Sequence, residues 1–165
     1  MLDVLRARSA AEAHAELARL GPRVHSPFHL LYADRTSAHL TYSDDEHTHQ
    51  VDLGPGLHVI TERSPGAAAT ARSKRIRAAW SRATADRPTE PPIEALRALL
   101  AEHDPEQPLD GACVHHDALG YGTRSSMILV LRAGTTGRSV ELHWAEGKPC
   151  RTPWTDLSEL ALGLS

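Results

Sequence analysis

The longest uninterrupted apolar run in this chain has only five residues, from Met127 to Leu131. Because a membrane-spanning helix needs about 20 apolar residues, the sequence predicts no membrane span. A run of this length between polar segments is typical of a short buried strand. Candidate strands and helices occur in blocks and do not alternate strictly, so we expect an α+β fold with a mainly antiparallel sheet.

Composition narrows the class of protein further. The chain has 165 residues, which suits one domain over 1–165, and its formal net charge is −3. That charge argues against a nucleic-acid partner held by a global positive field. No secretory signal is recognisable in residues 1–20, and arginine-rich composition without asparagine suggests a GC-rich bacterial genome. We therefore expect a cytoplasmic protein.

Apolar periodicity and Gly/Pro breakers place the elements. They predict helices over 2–20, 68–84, 93–103 and 154–164, and strands over 28–33, 39–42, 47–53, 57–61, 112–117, 125–132 and 138–145. Turns are expected at 34–37 and 44–46, and Thr155 or Asp156 is expected to cap the last helix. The basic residues of 72–82 are expected to form a solvated helix face.

The loop before the apolar run is rich in small and polar residues. Gly120 and Gly122 flank Tyr121, and glycine permits a positive φ or a close approach by another group. Thr123, Arg124 and the two serines that follow add hydroxyls and a guanidinium. The residues alone leave two interpretations open, a turn that caps its own backbone or a ligand site, and they favour the turn.

Four segments of the chain resemble one family. Tyr-Gly-Thr-Arg-Ser-Ser at 121–126 resembles the late signature of the NRDE family, also called the transport and Golgi organization protein 2 family. Ser-Pro-Phe-His-Leu-Leu-Tyr-Ala-Asp at 26–34, Pro-Gly-Leu-His within 53–61, and Pro-Cys-Arg-Thr-Pro within 147–154 resemble other family segments in the same order. The ordered set spans almost the whole chain and is more specific than any one segment.

The resemblance implies an N-terminal-nucleophile-hydrolase-like fold, with layered antiparallel sheets and flanking helices. Family members begin Met-Cys, and the exposed cysteine is the expected nucleophile with its own α-amine as base. This chain begins Met1-Leu2 and lacks the Asn-Arg-Asp-Glu motif. We therefore expect a partial NRDE-type domain without its N-terminal strands, which self-associates or needs a partner chain to complete the sheet.

The functional prediction follows from the same resemblance. It implies a non-catalytic binding or trafficking role for a small molecule, such as haem or a lipid-like ligand, since histidine is a common axial ligand to haem iron. The alternative is an amidohydrolase of the N-terminal-nucleophile type whose cysteine segment is missing. No catalytic residue is predicted. The predicted ligand-binding residues are His58, His115, Tyr121, Thr123, Arg124 and Ser125.

The cysteines and histidines offer two further kinds of chemistry, thiol reactivity and metal binding. Cys113 and Cys150 form no CxxC pair, and whether they meet in space is left open. Cys113 and His115 would point the same way on a strand, but a buried structural cysteine is favoured over a reactive one. His47 and His49 form a possible metal pair, yet no third ligand stands at a recognisable spacing, so no metal site is expected.

Overall fold

The computed structural model describes residues 2–21, 23, 25–44, 46–61, 70–85, 92–132 and 140–164. The chain divides into two compact units, Met1–Ala67 (unit 1) and Ala68–Ser165 (unit 2). Helices and antiparallel sheets occur in both, which confirms the predicted α+β class. Within the described ranges, no helix combines the length and the apolar character needed to cross a membrane.

The described residues of unit 1 form one 3-10 helix, one α-helix and a three-stranded antiparallel sheet. Its elements are a 3-10 helix (Leu2–Arg6), α1 (Ala10–Leu17), β1 (Phe28–Ala33), β2 (Ala38–Ser43) and β3 (Thr48–Asp52), with the strands in the order β1-β2-β3. Aspartates shape both hairpin turns, as expected. Asp34 accepts hydrogen bonds from the amides of Thr36 and Ser37, and Asp44 accepts from the amides of Glu46 and His47.

The predicted helix over 2–20 is wrong in extent, because a capping box interrupts it. The side chain of Ser9 accepts from the Glu12 amide at 3.1 Å, and Glu12 accepts from the Arg8 amide at 2.7 Å. The first bond satisfies an amide that the first turn of a helix leaves unpaired, and the second holds the residue before the cap, so α1 begins at Ala10. Its buried face includes Leu17, which has no solvent exposure.

The strands of unit 1 agree with the predictions except at one place. β1 has the predicted bounds, and β2 and β3 lie within one residue of theirs at each end. The predicted strand over 57–61 is wrong, since none of these residues lies in a strand. Gly56 has a φ of +139° and redirects the chain, and His58 then hydrogen-bonds back to the Gly54 carbonyl at 2.7 Å.

In the described residues of unit 2 there are two α-helices, three 3-10 helices and two small sheets. Its elements are α2 (Ala71–Ala83), α3 (Ile93–Leu100), a 3-10 helix (Pro108–Asp110), β4 (His115–His116), a 3-10 helix (Asp117–Leu119), β5 (Tyr121–Gly122), β6 (Ser125–Leu131), β7 (Val140–Glu146), β8 (Thr155–Asp156) and a 3-10 helix (Ser158–Leu164). β4 pairs with β5, and β6-β7-β8 form an antiparallel sheet.

Three predictions for unit 2 need correction. The strand predicted over 112–117 shrinks to β4, because only two residues find partners on β5. The tail predicted as a helix over 154–164 is instead β8 followed by a 3-10 helix, although Asp156 does accept from the Ser158 amide at 2.9 Å, as a cap would. The third is the basic face of α2, where Arg75 and Arg82 pair with acidic groups and are not simply solvated.

Asp104 connects α2 to the loop that follows α3. Its side chain is 6% exposed, forms an ion pair with Arg75, and accepts from the amides of Glu106 and Gln107 at 2.9 and 3.0 Å. The backbone hydrogen bond from Gln107 is the first cause that lowers the pKa of Asp104. This fixed carboxylate holds the loop that carries His103 next to it.

Candidate metal centre

The glycine-tyrosine-glycine loop is a tight hairpin. Gly120 has a φ of +59° and ends the 3-10 helix of Asp117–Leu119, and the chain returns as β5 so that Gly122 pairs with His115. A Cβ on Gly122 would lie 2.8 Å from the Val114 carbonyl oxygen, so only glycine allows the two backbones to approach this closely. The loop therefore serves as a support for His115.

Thr123 completes that support. Its amide donates to the Val114 carbonyl at 3.0 Å, and its Oγ1 accepts from the Val114 amide at 2.9 Å. Val114 lies between Cys113 and His115, so this pair of bonds fixes the backbone that carries both side chains. The other residues predicted in this loop, Tyr121, Arg124 and Ser125, are exposed.

A sulfur–imidazole cluster lies behind the hairpin. The Cys113 Sγ is 3.3 Å from the His115 Nε2, which is 3.1 Å from the Cys150 Sγ, and the two sulfurs are 3.7 Å apart. Both cysteines are free thiols. The cluster also includes His103, and one ligand atom from each of the four residues lies within 4.8 Å of all the others. The two cysteines therefore do meet in space.

His103 is held in one tautomer. Its Nδ1 lies 2.9 Å from the Cys113 carbonyl oxygen, and because a carbonyl only accepts, Nδ1 must carry the proton. The lone pair that a metal ligand needs is then on Nε2. The His103 ring packs edge-on against the His115 ring, with 4.5 Å between centroids. Of the four residues, His103 is the one that is exposed.

Cys150 is presented by a tight turn. Gly147 has a φ of +115°, and a Cβ there would lie 2.9 Å from the Thr152 hydroxyl. The Lys148 carbonyl then accepts from the amides of Arg151 and Thr152, both at 3.0 Å. The sequence places Cys150 inside this turn, so its side chain is set by backbone bonds on both sides.

Burial and a nearby cation shift the pKa values of Cys113 and His115. Burial raises the pKa of the Cys113 thiol. Burial is also the first cause that lowers the pKa of His115, and the nearby Lys148 ammonium lowers it further, which favours the neutral imidazole that binds metals. Lys148 lies 3.2 Å from Asp117, and this hydrogen bond lowers the pKa of the Asp117 carboxyl.

Two other predicted positions lie in unit 1. His58 is exposed, and its Nε2 is engaged by the Gly54 carbonyl at 2.7 Å. His47 and His49 do lie together, with ring centroids 5.8 Å apart, and Asp44 approaches both. Backbone hydrogen bonds, first from His47, lower the pKa of Asp44 to about 2; these bonds use Oδ1, whereas Oδ2 lies 3.0 Å from the His49 Nε2.

Sequence reasoning identified His115 but missed two members of the cluster. Cys113 and His115 carry a local signal, since residues two apart in extended chain share a side. His103 and Cys150 carry none, because each comes from a distant loop at no recognisable ligand spacing.

No protein-family model, curated protein or solved structure matches this chain.

Proposed function

We propose that this chain is a zinc-binding protein, with one Zn²⁺ held in unit 2 by His103, Cys113, His115 and Cys150. The observation that carries the proposal is the 3.7 Å separation of the two sulfurs. In a tetrahedral site with Zn–S bonds of about 2.3 Å, two sulfurs lie about 3.8 Å apart. A disulfide would need about 2.05 Å, so the sulfurs are spaced for a shared metal.

The donor set selects the metal. Two thiolates and two imidazoles in a tetrahedral arrangement suit Zn²⁺ and do not suit Mg²⁺ or Ca²⁺, which prefer oxygen ligands. Because four protein ligands fill the tetrahedron, no position remains for a bound water or substrate. The centre therefore stabilises the fold and does not activate a nucleophile.

Supporting hydrogen bonds favour the same role. The Cys113 carbonyl orients the His103 ring, and Thr123 holds the backbone between Cys113 and His115. Such outer contacts typically change metal affinity by about 10- to 100-fold when they are removed. Unit 2 gains from a metal because β4 and β5 have two residues each and supply little stability of their own.

His115 does not fit haem. A porphyrin bound at its Nε2 would occupy the space of the two sulfurs, which lie within 3.3 Å of that nitrogen. The Nε2 of His58 donates to the Gly54 carbonyl, so the lone pair of this exposed ring is on Nδ1. Haem binding, the NRDE-type trafficking role, the layered N-terminal-nucleophile fold and the amidohydrolase alternative stay predictions from the resemblance.

The test is metal content and ligand spectroscopy on the full chain. We expect one zinc per chain by elemental analysis after purification under reducing conditions. Replacement by Co²⁺ should give the strong visible absorption of a tetrahedral site and a thiolate-to-cobalt charge-transfer band. Cys150→Ser and His103→Ala should each weaken binding strongly.

His116→Ala is the matched control, because His116 neighbours His115 on β4 but is not part of the cluster. It should retain the cobalt spectrum. Substoichiometric zinc in the unchanged chain, or equal cobalt spectra for Cys150→Ser and the unchanged chain, would overturn the proposal.

A further inference from the structure

Unit 1 contains a second cluster, with no cysteine, in which a serine, a histidine and an aspartate form a continuous chain of hydrogen bonds. The Ser37 Oγ is 3.0 Å from the His39 Nε2, and the His39 Nδ1 is 2.8 Å from the Asp52 Oδ1. A nucleophile within hydrogen-bond reach of a base, and a third group that orients the base, is the arrangement of an activated serine. We propose that Ser37 is a nucleophile for acyl transfer, with His39 as its general base and Asp52 as the orienting carboxylate.

The local fold explains why these residues meet. Ser37 ends the turn between β1 and β2, where its amide is held by Asp34 at 2.9 Å. His39 follows two residues later, so its side chain lies on the same side of the extended chain. In the register of β2 and β3, His39 pairs directly with Asp52. One hairpin turn and one cross-strand pair therefore build the whole arrangement.

The hydrogen-bond inventory fixes the direction of the chain. An ionised Asp52 only accepts, so the His39 Nδ1 carries the proton and donates it to the carboxylate. In the neutral ring, Nε2 then holds the lone pair and accepts from the Ser37 hydroxyl. This is the tautomer that a general base needs.

The His39 ring is also held by its neighbours. It stacks on the His14 ring at 4.4 Å between centroids and on the Tyr32 ring at 5.6 Å. The His39 side chain is 12% exposed, whereas Ser37 is half-buried and therefore open to a reagent on one side. His14 also approaches Asp52, with 3.8 Å between the His14 Nε2 and the Asp52 Oδ1.

The proposed reaction is hydrolysis of an ester through an acyl-serine intermediate. The Ser37 Oγ attacks the carbonyl carbon of an ester while the His39 Nε2 takes the hydroxyl proton, and the carbon–oxygen bond to the leaving alcohol breaks as His39 returns that proton to it. Water then attacks the acyl-serine and gives a proton to His39, which passes it to Ser37 as the acid leaves.

The surroundings define the substrate class and the rate. The carboxylates of Asp34 and Asp52 lie beside the serine and disfavour anionic acyl groups, so neutral esters are expected. The amides of Thr36 and Ser37 both point to Asp34 and are unavailable to a developing oxyanion. Because an oxyanion donor is typically worth about 10²- to 10³-fold, turnover should be slow and covalent capture should be the clearer signal.

The experiment is labelling of the full chain with a neutral fluorophosphonate ester, in which an oxygen–phosphorus bond forms at Ser37 and fluoride leaves. Intact mass should show one adduct per chain, and peptide mapping should place it on Ser37. Ser37→Ala should remove it, and Asp52→Asn should slow labelling at least about tenfold by losing the orienting carboxylate.

Two controls separate this proposal from folding effects and from the zinc centre. Asp52 is 82% exposed, so its substitution by asparagine is not expected to unfold the chain, and circular dichroism checks this. Ser81→Ala, at an exposed serine of unit 2, and the unchanged chain treated with a metal chelator should both label as the untreated chain does. An adduct elsewhere than Ser37, no adduct at all, or equal labelling rates for Asp52→Asn and the unchanged chain would overturn the proposal.

Discussion

The two units place histidines in clusters of opposite character. In unit 1, the nitrogens of His39 lie 2.8 and 3.0 Å from oxygen partners, so the ring is satisfied by ordinary hydrogen bonds. In unit 2, His115 faces two sulfurs, which are weak hydrogen-bond partners, and the cluster spans separations of 3.1 to 3.7 Å. The comparison teaches that a complete chain of hydrogen bonds can transfer a proton, whereas four ligand atoms around one point can bind a cation.

The largest expected effect is on the unfolding free energy of unit 1, and it tests whether this unit is stabilised by its own core. Leu17 has no solvent exposure, so Leu17→Ala should cost about 2–5 kcal/mol of unfolding free energy through lost burial and a cavity. Leu5 is 81% exposed, and Leu5→Ala is the matched control. Hydrogen exchange should accelerate in β1, β2 and β3, while zinc affinity stays unchanged. Loss of zinc in Leu17→Ala would show that the two clusters depend on one another.

The next effect removes the metal from unit 2. If zinc is present at about 100 times its dissociation constant, chelation should lower stability by about 2.7 kcal/mol. All three tryptophans, Trp80, Trp144 and Trp154, belong to unit 2, so tryptophan fluorescence reports its melting alone. The melting temperature should fall with a chelator and recover with added Zn²⁺. Cys150→Ser should melt at the same temperature with and without chelator; a chelator effect that persists there would contradict the assignment.

A glycine pair gives the third comparison. A Cβ on Gly122 would meet the Val114 carbonyl oxygen at 2.8 Å, whereas a Cβ on Gly54 in unit 1 would meet nothing within 4 Å. Gly122→Ala should therefore force the hairpin apart, cost about 1–3 kcal/mol and weaken zinc binding. Gly54→Ala should change neither quantity. Calorimetric titration with Zn²⁺ on both variants measures the difference, and equal affinities would show that the hairpin does not position His115.

The smallest effect is a pH dependence specific to unit 1. Hydrogen bonds, first from the Thr36 side chain and then from the Ala10 amide, hold the pKa of Asp34 well below its usual range. A depressed pKa stabilises the fold fully above the unfolded value of about 3.9 and loses that stability as the pH falls towards the folded value. Asp34→Asn should flatten this acid dependence in denaturant titrations monitored by circular dichroism. An unchanged slope below pH of about 4 would show that the carboxylate contributes nothing.

Local signals explain which parts of the fold were predictable. β1 is bounded by turn-forming segments and was predicted to the residue. The break before α1 was also written in the chain, as Ser9 followed by Glu12, but the apolar spacing across it masked the capping box. The segment 57–61 has strand composition but is not a strand, because strand formation is a tertiary property that composition does not carry.

The residues of the two clusters also separate into those with a local signal in the sequence and those without one. Cys113 and His115 share a side by simple alternation, as do Ser37 and His39, and both pairs are visible in the sequence. Cys150, His103 and Asp52 reach those pairs only through turns and strand register that the fold supplies. We considered Cys113 with His115 from their spacing, which gives two of the four residues in unit 2, whereas Ser37 with His39, two of the three in unit 1, was not predicted.

The spacing of the two cysteines has a consequence for the unfolded chain. Cys113 and Cys150 are 37 residues apart, so any link between them encloses a long loop. In the chain-entropy model, a permanent crosslink that closes a loop of that length lowers the conformational entropy of the denatured ensemble, which is worth about 4 kcal/mol of stability. A metal that stays bound to both thiols during unfolding would keep this loop closed in the unfolded chain. The unfolded chain would then have a smaller hydrodynamic radius, and the unfolding free energy would fall less steeply with denaturant concentration.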